Sequence, residues 1–217
     1  MNMNIIRSIL AQKFRISYSQ LAEDIIISEI FSRRRNITYI DIGANHPIFG
    51  SNSFYFYLRG GQGICIEPNI AFEKMHRRFR PRDKFVCSAV SDSKNPEIFF
   101  TNTGSVTDAY ASVTGNFDAN SKDTIKVKNL HINDALALVD TVNIDLLSID
   151  TETMDSKIIQ AIDFEKFSIS TICVETNKSE EDKKNITAVL QDKGYSVFAS
   201  NPINTIFQSI DNRHNNK

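Results

Sequence analysis

The stretch YIDIGANHPIFGSN, residues 39–52, decides the fold. It begins with the apolar end of a buried β-strand, reaches an acid at Asp41, and turns at Gly43. A strand of this kind followed by a glycine is typical of the first central strand of a nucleotide-binding α/β sheet. Asn45, His46 and Pro47 stand where a dinucleotide fingerprint has its further glycines. The turn therefore predicts a nucleoside ligand without a pyrophosphate.

Around this stretch, strand-like and helix-like segments alternate along the chain. The predicted strands are ITYIDIG, QGICIEP, KFVCSAVSD, IDLLSID and STICVET, with helical patterns between them. Such alternation predicts a doubly wound, mostly parallel α/β sheet. The segments YSVFAS and NTIFQSI predict a closing antiparallel hairpin, and residues 95–127 interrupt the alternation as a β-rich insertion.

The length of 217 residues fits one domain with a substantial core. We expect a helical segment over residues 1–35 that packs on the core, a main domain over 36–210, and a disordered tail over 211–217. The arginines at 33–35 are expected in the last turn of the second helix, where the helix dipole favours cations.

Charge and hydropathy exclude several classes of protein. The net charge of −1 gives no reason to expect non-specific nucleic-acid binding. No apolar run approaches the roughly 20 residues that span a bilayer, and the start of the chain lacks the pattern of a secretory signal. The three cysteines lie in apolar runs, which is typical of buried, reduced thiols. These features predict a cytoplasmic protein.

The first fourteen residues leave two alternatives open. Their apolar residues lie near one face of a helix, with Arg7 and Lys13 among them. Such a helix usually packs on its own domain. It is also the pattern of a segment that touches a membrane surface or a partner.

Acids end the predicted strands, where ligands bind in open α/β sheets. Asp41, Glu67, Asp150 and Glu175 stand at or just beyond four strand ends. Glu67 ends the second strand, where a carboxylate can accept hydrogen bonds from both hydroxyls of a ribose. The expected ligand is a nucleoside with a charged amino-acid end, such as S-adenosylmethionine.

Four segments in matching order carry a resemblance to a known family. They are SYSQLAEDIII, YIDIGANHPIFGSNSFYFYLRGGQGICIEPN, RPRDKFVCSAVSD and LLSIDTETMDSKIIQAIDFEKFSISTICVET, which span roughly residues 17–175. Together they resemble the FkbM-family methyltransferases, which are class I S-adenosylmethionine-dependent O-methyltransferases. The resemblance implies a Rossmann-like class I methyltransferase fold. Two positions depart from the family pattern, because Ala22 and Thr153 stand where glycine is usual.

The resemblance also implies a cofactor site around the first turn. The implied cofactor-binding residues are Gln20, Asp41, Gly43, Ala44, Asn45, Glu67, Pro68, Ser88, Ala89, Asp92 and Asp150.

The catalytic residues are sought among the acids after the fourth strand. Asp150 or Glu152 is expected to act as the base or to orient the acceptor, because clustered carboxylates raise one another's pKa. Alternatively, Asp150 only holds the cofactor's amino end, and Asp155 caps the next helix. His46 is a second candidate base. A Mg²⁺ ion bound by oxygen atoms of Asp150, Glu152, Glu175 and Asn177 is the weaker alternative, and no metal ligand is assigned.

Two further segments bear on the acceptor. Tyr110 and Ser112, inside the insertion, are the expected acceptor-side residues. The run HRRFRPRD, residues 76–83, predicts either a site for a phosphate-bearing acceptor or a cationic helix end that faces solvent.

The function predicted is O-methylation of a sugar, nucleotide sugar or glycan precursor, as in polysaccharide biosynthesis. The expected partner is this small-molecule or glycan acceptor, with no nucleic acid and at most peripheral membrane contact. Three alternatives remain open: a methyltransferase of polyketide-type natural products, an inactive nucleoside-binding module, and a nicotinamide-dependent oxidoreductase.

Overall fold

The computed structural model describes residues 15–101, 112–113, 124–151 and 154–211. The predicted N-terminal helix, the tail after residue 211, Tyr110, Glu152 and Thr153 lie outside the described residues. At Ser112 the structure describes the backbone alone.

The described elements alternate much as the sequence predicts. The helices are α1 (Glu23–Ile30), α2 (Phe54–Leu58), α3 (Glu73–Phe79, after a 3₁₀ turn at Ile70–Phe72), α4 (Ile132–Leu136), α5 (Asp155–Ala161) and α6 (Glu180–Asp192). The strands are β1 (Thr38–Ile42), β2 (Gln62–Ile66), β3 (Lys84–Val86), β4 (Ala89–Ser91), β5 (Glu97–Thr101), β6 (Ser112–Val113), β7 (Thr124–His131), β8 (Asn143–Ile149), β9 (Ser168–Glu175), β10 (Tyr195–Ser200) and β11 (Asn204–Ser209).

Seven of these strands form the main sheet, in the order β10-β11-β9-β8-β1-β2-β3. The five strands from β3 to β9 in this order are parallel, and β11 and β10 close the sheet as an antiparallel hairpin. The prediction of a mostly parallel, doubly wound sheet with an antiparallel hairpin is confirmed.

Helices cover both faces of this sheet because its central strands are apolar on both sides. Ile40 and Ile42 of β1 pack against α4, α5 and α6. Tyr39, one residue along the strand and therefore on the other face, packs against α1 and α2. This two-sided burial places the central strand ends, with their polar side chains, at the edge of the core.

A second sheet lies beside β3, in the order β4-β7-β5-β6. The sequence predicts one strand through KFVCSAVSD, and this is wrong. The chain leaves the main sheet at Cys87 and Ser88, and β4 pairs with β7 instead. The strands of residues 95–127 therefore belong to a separate sheet. That sheet also includes β4, which is the second half of the predicted third strand.

The arginines at 33–35 do not sit in a helical turn, which corrects the sequence prediction. Helix α1 ends at Ile30, and Ser32 and Arg33 adopt left-handed φ angles of 46° and 62°. The arginines lie in the exposed turn that leads to β1, where Arg34 pairs with Asp145.

Two further expectations concern apolar segments and thiols. Within the described part of the chain, no helix is long and apolar enough to cross a membrane. Cys65 and Cys173 are fully buried free thiols, and Cys87 is half-buried. Burial raises the pKa of all three thiols, so they are protonated near neutral pH.

Candidate active site

The site is a row of residues at the carboxyl ends of four parallel strands. The last paired residues are Ile66 of β2, Ile42 of β1, Ile149 of β8 and Val174 of β9, which lie side by side. The next residues along the chain are therefore neighbours at one edge of the sheet, in the order Glu67, Gly43, Asp150, Glu175. Parallel pairing thus brings the acids that the sequence places after these strands to one edge of the sheet.

Gly43 lets the first turn cross closely over β8. Its φ is +76°, and a Cβ at this position would lie 1.8 Å from the backbone oxygen of Asp150. The backbone N–H groups of Gly43 and Ala44 both donate to the carbonyl of Ile66. The turn is thus tied to β2 on one side and packed on β8 on the other, a close approach that only glycine permits.

Glu67 fixes the turn from the end of β2. One carboxylate oxygen accepts a hydrogen bond from the N–H of Asn45 at 3.0 Å, and the other accepts from the N–H of Asn69 at 2.7 Å. The side chain is 7% exposed, and its burial raises the pKa of the carboxyl. Each oxygen retains a second lone pair, which is the capacity needed to accept from a ligand's hydroxyls.

His76 of α3 supports the same turn, a role that the sequence did not predict. Its Nε2 lies 2.8 Å from the carbonyl oxygen of Asn45, the residue that holds a left-handed φ of 42°. The ring is buried, and this burial lowers the pKa of His76 to about 4. The imidazole is therefore neutral at physiological pH and donates from Nε2 to Asn45.

Within the run HRRFRPRD, Arg77 and Arg78 are exposed in the last turn of α3, as a cationic helix end that faces solvent predicts, whereas Arg80 fits neither expectation. Its side chain is fully buried, and its guanidinium carbon lies 5.5–6.0 Å from the ring centroids of Tyr39, Phe54 and Tyr57. Its Nε donates to Asp83 at 2.7 Å. This arginine neither faces solvent nor is open to a phosphate, because aromatic rings and a paired carboxylate enclose it.

A buried polar chain connects this ion pair to Asp41. Arg80 donates to Ser53 Oγ at 2.8 Å, and Ser53 Oγ donates to the carboxylate of Asp41. At the far end, Tyr39 donates its hydroxyl to Asp83. The chain Tyr39–Asp83–Arg80–Ser53–Asp41 therefore fixes the carboxylate of Asp41 from inside the protein.

The segment Ser51–Ser53 was missed in the sequence, although a signal for it exists. Three small polar residues interrupt an otherwise apolar stretch between Ile48 and Leu58. All three are buried, and Asn52 donates to Ser148 Oγ of β8 at 3.2 Å. Buried polar residues need partners, so such a run points towards a hydrogen-bonded network.

His46 lies half-buried in the turn. Its Nδ1 accepts from the backbone N–H groups of Ile48 and Phe49, both at 3.1 Å. Burial lowers the pKa of His46. Because Nδ1 is an acceptor in the turn, the neutral ring carries its proton on Nε2, and a catalytic role for His46 stays a prediction.

The segment before α1 packs on the loop that follows the turn. The N–H of Ser51 donates to the carbonyl of Tyr18, and Gln20 lies exposed beside Gly50. Gln20 therefore stands at the rim near the first turn, and its part in cofactor binding stays a prediction.

Glu23 and Asp24, the first two residues of α1, have structural roles in the described protein. Glu23 is fully buried and accepts hydrogen bonds from the side-chain amides of Asn201 and Asn204. Asp24 is also fully buried and accepts from Ser17, Ser19 and two backbone N–H groups. Glu23 therefore connects the start of α1 to the β10–β11 hairpin, and Asp24 connects it to the residues just before the helix.

Ala22, where the family usually has glycine, adopts a left-handed conformation with φ 65°. A glycine takes this conformation without steric cost, which gives a physical reason for the usual residue.

Beyond β8, Asp150 is half-buried beside Gly43. Asp155 holds the loop that connects Asp150 to α5. Asp155 is the first residue of α5 and accepts from the N–H and hydroxyl of Thr151. Asp155 therefore stabilises the loop through Thr151. It is not the N-cap residue expected as an alternative from the sequence, because Met154 occupies that position. Lys178 bridges Asp155 and Glu175, with both N···O distances 2.8 Å.

This bridge bears on the metal alternative. Among the residues that the structure describes, no group of three His, Cys, Asp or Glu side chains is arranged to hold a metal ion. Glu175, one of the proposed oxygen donors, is engaged by a lysine.

The side expected for adenine lies at the end of β3. The N–H of Glu67 donates to the carbonyl of Val86, and Cys87 Sγ lies 3.5 Å from the carbonyl of Pro68. Ser88 and Ala89 are buried next to this point. Asp92 lies exposed beyond β4, in the turn that leads to β5. The assignment of these residues to cofactor binding stays a prediction.

The fold is the Rossmann-like α/β fold of class I methyltransferases. The family model "Methyltransferase FkbM domain" matches residues 41–197, which is most of the chain. The chain therefore belongs to the FkbM methyltransferase family, as the sequence resemblance indicates. No curated protein sequence matches the chain.

Solved structures are similar in fold at low sequence identity. The "METTL16 MTase domain" gives a TM-score of 0.53 at 10% identity, over 92% of this chain and 71% of that one. Precorrin-6y C5,15-methyltransferase from Geobacter metallireducens gives 0.49 at 13% identity, over 87% of each chain. 1,6-Didemethyltoxoflavin-N1-methyltransferase from Burkholderia thailandensis, solved with S-adenosylhomocysteine, gives 0.48 at 9% identity, over 95% of this chain and 83% of that one.

The likeness to the METTL16 domain supports the fold and leaves the acceptor undefined. The expectation that the protein has no nucleic-acid partner therefore stays a prediction.

Proposed function

We propose that the protein is an S-adenosylmethionine-dependent O-methyltransferase that acts on a hydroxyl of a sugar, nucleotide sugar or glycan precursor. The observation that supports this most directly is the group of carboxylates around the first turn. We call this group, Asp41, Glu67 and Asp150 with the turn at Gly43, the cradle; it is anionic and has no glycine-rich turn. The O-methyl and sugar assignments rest on the family resemblance and on the carboxylates available to remove a hydroxyl proton.

The charges of the cradle favour a cationic nucleoside. Asp41 and Glu67 are buried close enough that Asp41 contributes to raising the pKa of Glu67. The charge of nearby Arg80 is already matched by Asp83. A ligand that carries positive charge relieves this repulsion, whereas a pyrophosphate adds to it. S-Adenosylmethionine has a sulfonium and an ammonium group, and nicotinamide dinucleotides have a pyrophosphate.

The hydrogen-bonding groups match the rest of such a ligand. Glu67, held by two backbone N–H groups, would accept from the two ribose hydroxyls with its remaining lone pairs. Pro68 and Ser88 stand where the adenine would lie. Asp41 and the turn at Gly43 would face the methionine end, with the Arg80–Ser53 chain keeping Asp41 in one orientation.

Asp150 is the proposed base or acceptor-orienting group. When bound, S-adenosylmethionine would supply the methyl group as an electrophile, and its sulfur would leave as the neutral thioether of S-adenosylhomocysteine. The acceptor hydroxyl must lose its proton as its oxygen forms the new bond, and Asp150 would take that proton or orient the hydroxyl. No metal is required for this step, so we expect turnover to survive exhaustive EDTA treatment.

The test compares glycans and metabolites from cells that make the wild-type protein with those from cells that make Asp150→Asn. Mass spectrometry should show a product heavier by one methylene unit only with the wild type, and fragmentation should place it on a sugar oxygen. Asp192→Asn, an exposed carboxylate at the end of α6, is the matched control and should retain the product. A methyl group found on nitrogen or carbon would overturn the O-methyl assignment.

A further inference from the structure

A second concave surface lies away from the strand ends. A cleft of about 490 Å³ opens between α2, the turn that follows α1 and the residues before α1. We call it the arginine cleft; the residues that define it are Arg15, Ile16, Arg33, Tyr55, Leu58 and Arg59. Neither the cradle nor the proposed methyl transfer uses these side chains.

The arginine cleft carries an excess of positive charge. Among the described residues, Glu29 is the carboxylate that approaches its guanidinium groups: it pairs with Arg15 and lies 3.9 Å from Arg33. Arg59 stacks over the ring of Tyr55 at 5.5 Å and donates from one terminal nitrogen to the carbonyl of Arg33. Three cations thus face one carboxylate.

Arg59 also has a hydrogen-bond donor, Nε, that no described residue satisfies. Its Nε is buried and has no hydrogen-bond partner among the described residues. A buried N–H without an acceptor carries a free-energy cost that a bound anion would remove. Phosphate oxygens, like carboxylate oxygens, match the planar, bidentate geometry of guanidinium groups.

Exposed aliphatic side chains border these arginines. Ile16 is 69% exposed and Leu58 is 51% exposed, both on the lining of the cleft. The sequence that leads into the cleft continues this character, because residues 1–22 contain Arg7, Lys13 and Arg15 but no Asp or Glu. Cations interleaved with exposed aliphatic groups favour an anionic lipid surface, where phosphates and the edge of the acyl region are available together. A nucleic acid would use the charge but offers little to Ile16 and Leu58.

We propose that the arginine cleft docks the protein onto an anionic phospholipid membrane. The arginines contact headgroup phosphates, Arg59 Nε donates to one phosphate oxygen, and Ile16 and Leu58 enter the headgroup boundary. Tyr18, also on the cleft lining, accepts a hydrogen bond from Ser51 of the loop after β1 at 3.1 Å. Arg33 and Arg59 lie beside the starts of β1 and β2, so the docking arginines are at the edge of the sheet opposite the strand ends of the candidate active site.

The test is flotation of the full chain with vesicles of phosphatidylcholine alone or with 30% phosphatidylglycerol, read at low and high salt. We expect binding to the anionic vesicles only, weakened by salt. The triple variant Arg15→Gln/Arg33→Gln/Arg59→Gln should bind at least tenfold more weakly, since each cation near an anionic surface contributes about fivefold in affinity. The control Lys74→Gln/Arg77→Gln/Arg78→Gln removes the same charge from the exposed side of α3 and should bind as the wild type does.

A second variant keeps the test independent of folding of the triple variant. Ile16→Ser/Leu58→Ser leaves every charge in place and should also weaken vesicle binding. Equal losses in the α3 control and the arginine triple variant would overturn the proposal, as would vesicle binding that persists in the arginine triple variant. Failure to bind anionic vesicles, while inorganic phosphate or a short RNA binds at the arginines, would overturn it in favour of a soluble anion or a nucleic acid. Binding of S-adenosylhomocysteine by the same variants reports on the cradle separately, so the two proposals can fail independently.

Discussion

Gly43→Ala tests the close approach of the turn after β1 to the end of β8, and Gly194→Ala provides a matched control. Both glycines have left-handed φ angles, +76° and +79°. An added Cβ would lie 1.8 Å from the backbone oxygen of Asp150 at Gly43, but would meet nothing within 4 Å at Gly194. The pair therefore separates the cost of backbone strain from the cost of the clash.

The magnitudes follow from this comparison. An alanine in the left-handed region costs about 1–2 kcal/mol, and both variants lose this amount. At Gly43 the carbonyl of Asp150 must also move by more than about 1 Å, and forced overpacking of this kind costs a further 1–3 kcal/mol. We expect the free energy of unfolding to fall by about 2–5 kcal/mol for Gly43→Ala and about 1–2 kcal/mol for Gly194→Ala.

Urea unfolding followed by circular dichroism measures the change in the free energy of unfolding. Calorimetric titration with S-adenosylhomocysteine measures the change in ligand affinity. Gly43→Ala should lose at least tenfold in affinity because the turn and Asp150 are pushed apart. Gly194→Ala should bind as the wild type does. Equal destabilisation of the two variants, or wild-type affinity in Gly43→Ala, would refute the assignment of this close approach to the ligand site.

Three further substitutions test other parts of the account. Glu67→Gln should weaken S-adenosylhomocysteine binding by about 10- to 100-fold in calorimetry, because it removes a charged acceptor, while the exposed Glu181→Gln should not. Because burial raises the pKa of Glu67, wild-type affinity should fall as pH drops through that raised pKa and the carboxylate is protonated; a pH profile unchanged in Glu67→Gln would contradict this. Ala22→Gly should leave the free energy of unfolding unchanged or raise it by up to about 1 kcal/mol, whereas Ala188→Gly in the exposed interior of α6 should lower it by about 0.5–1 kcal/mol; equal losses would argue against the left-handed conformation of Ala22. Arg80→Met should lower it by about 3–5 kcal/mol by leaving Asp83 buried without its cation, and exposed Arg78→Met should change it by less than about 0.5 kcal/mol; similar losses in both would mean that Arg80 is not buried as described.

The strand ends were predictable because parallel strands leave a strong local pattern. The apolar run to Ile42, the glycine after it and the acids at Glu67 and Asp150 are each visible in a short stretch of sequence. Parallel pairing then brings them together without any need to know side-chain packing.

The support beneath the site was not predictable from local pattern. His76 and Arg80 lie in a run of cations, which in isolation is typical of a solvated helix end. Their burial depends on contacts with Asn45, Ser53 and Asp83, which are distant in sequence or lie beyond the helix. The break of the third strand at Cys87 was hidden for a similar reason, since both halves are apolar and only pairing with β7 separates them.

Calorimetric titration of the wild-type protein with S-adenosylhomocysteine and, separately, with NADH tests the central claim most directly. The anionic cradle predicts saturable, one-to-one binding of S-adenosylhomocysteine and no detectable binding of NADH, whose pyrophosphate meets carboxylates and no glycine-rich turn. Binding of NADH together with failure to bind S-adenosylhomocysteine would contradict the account.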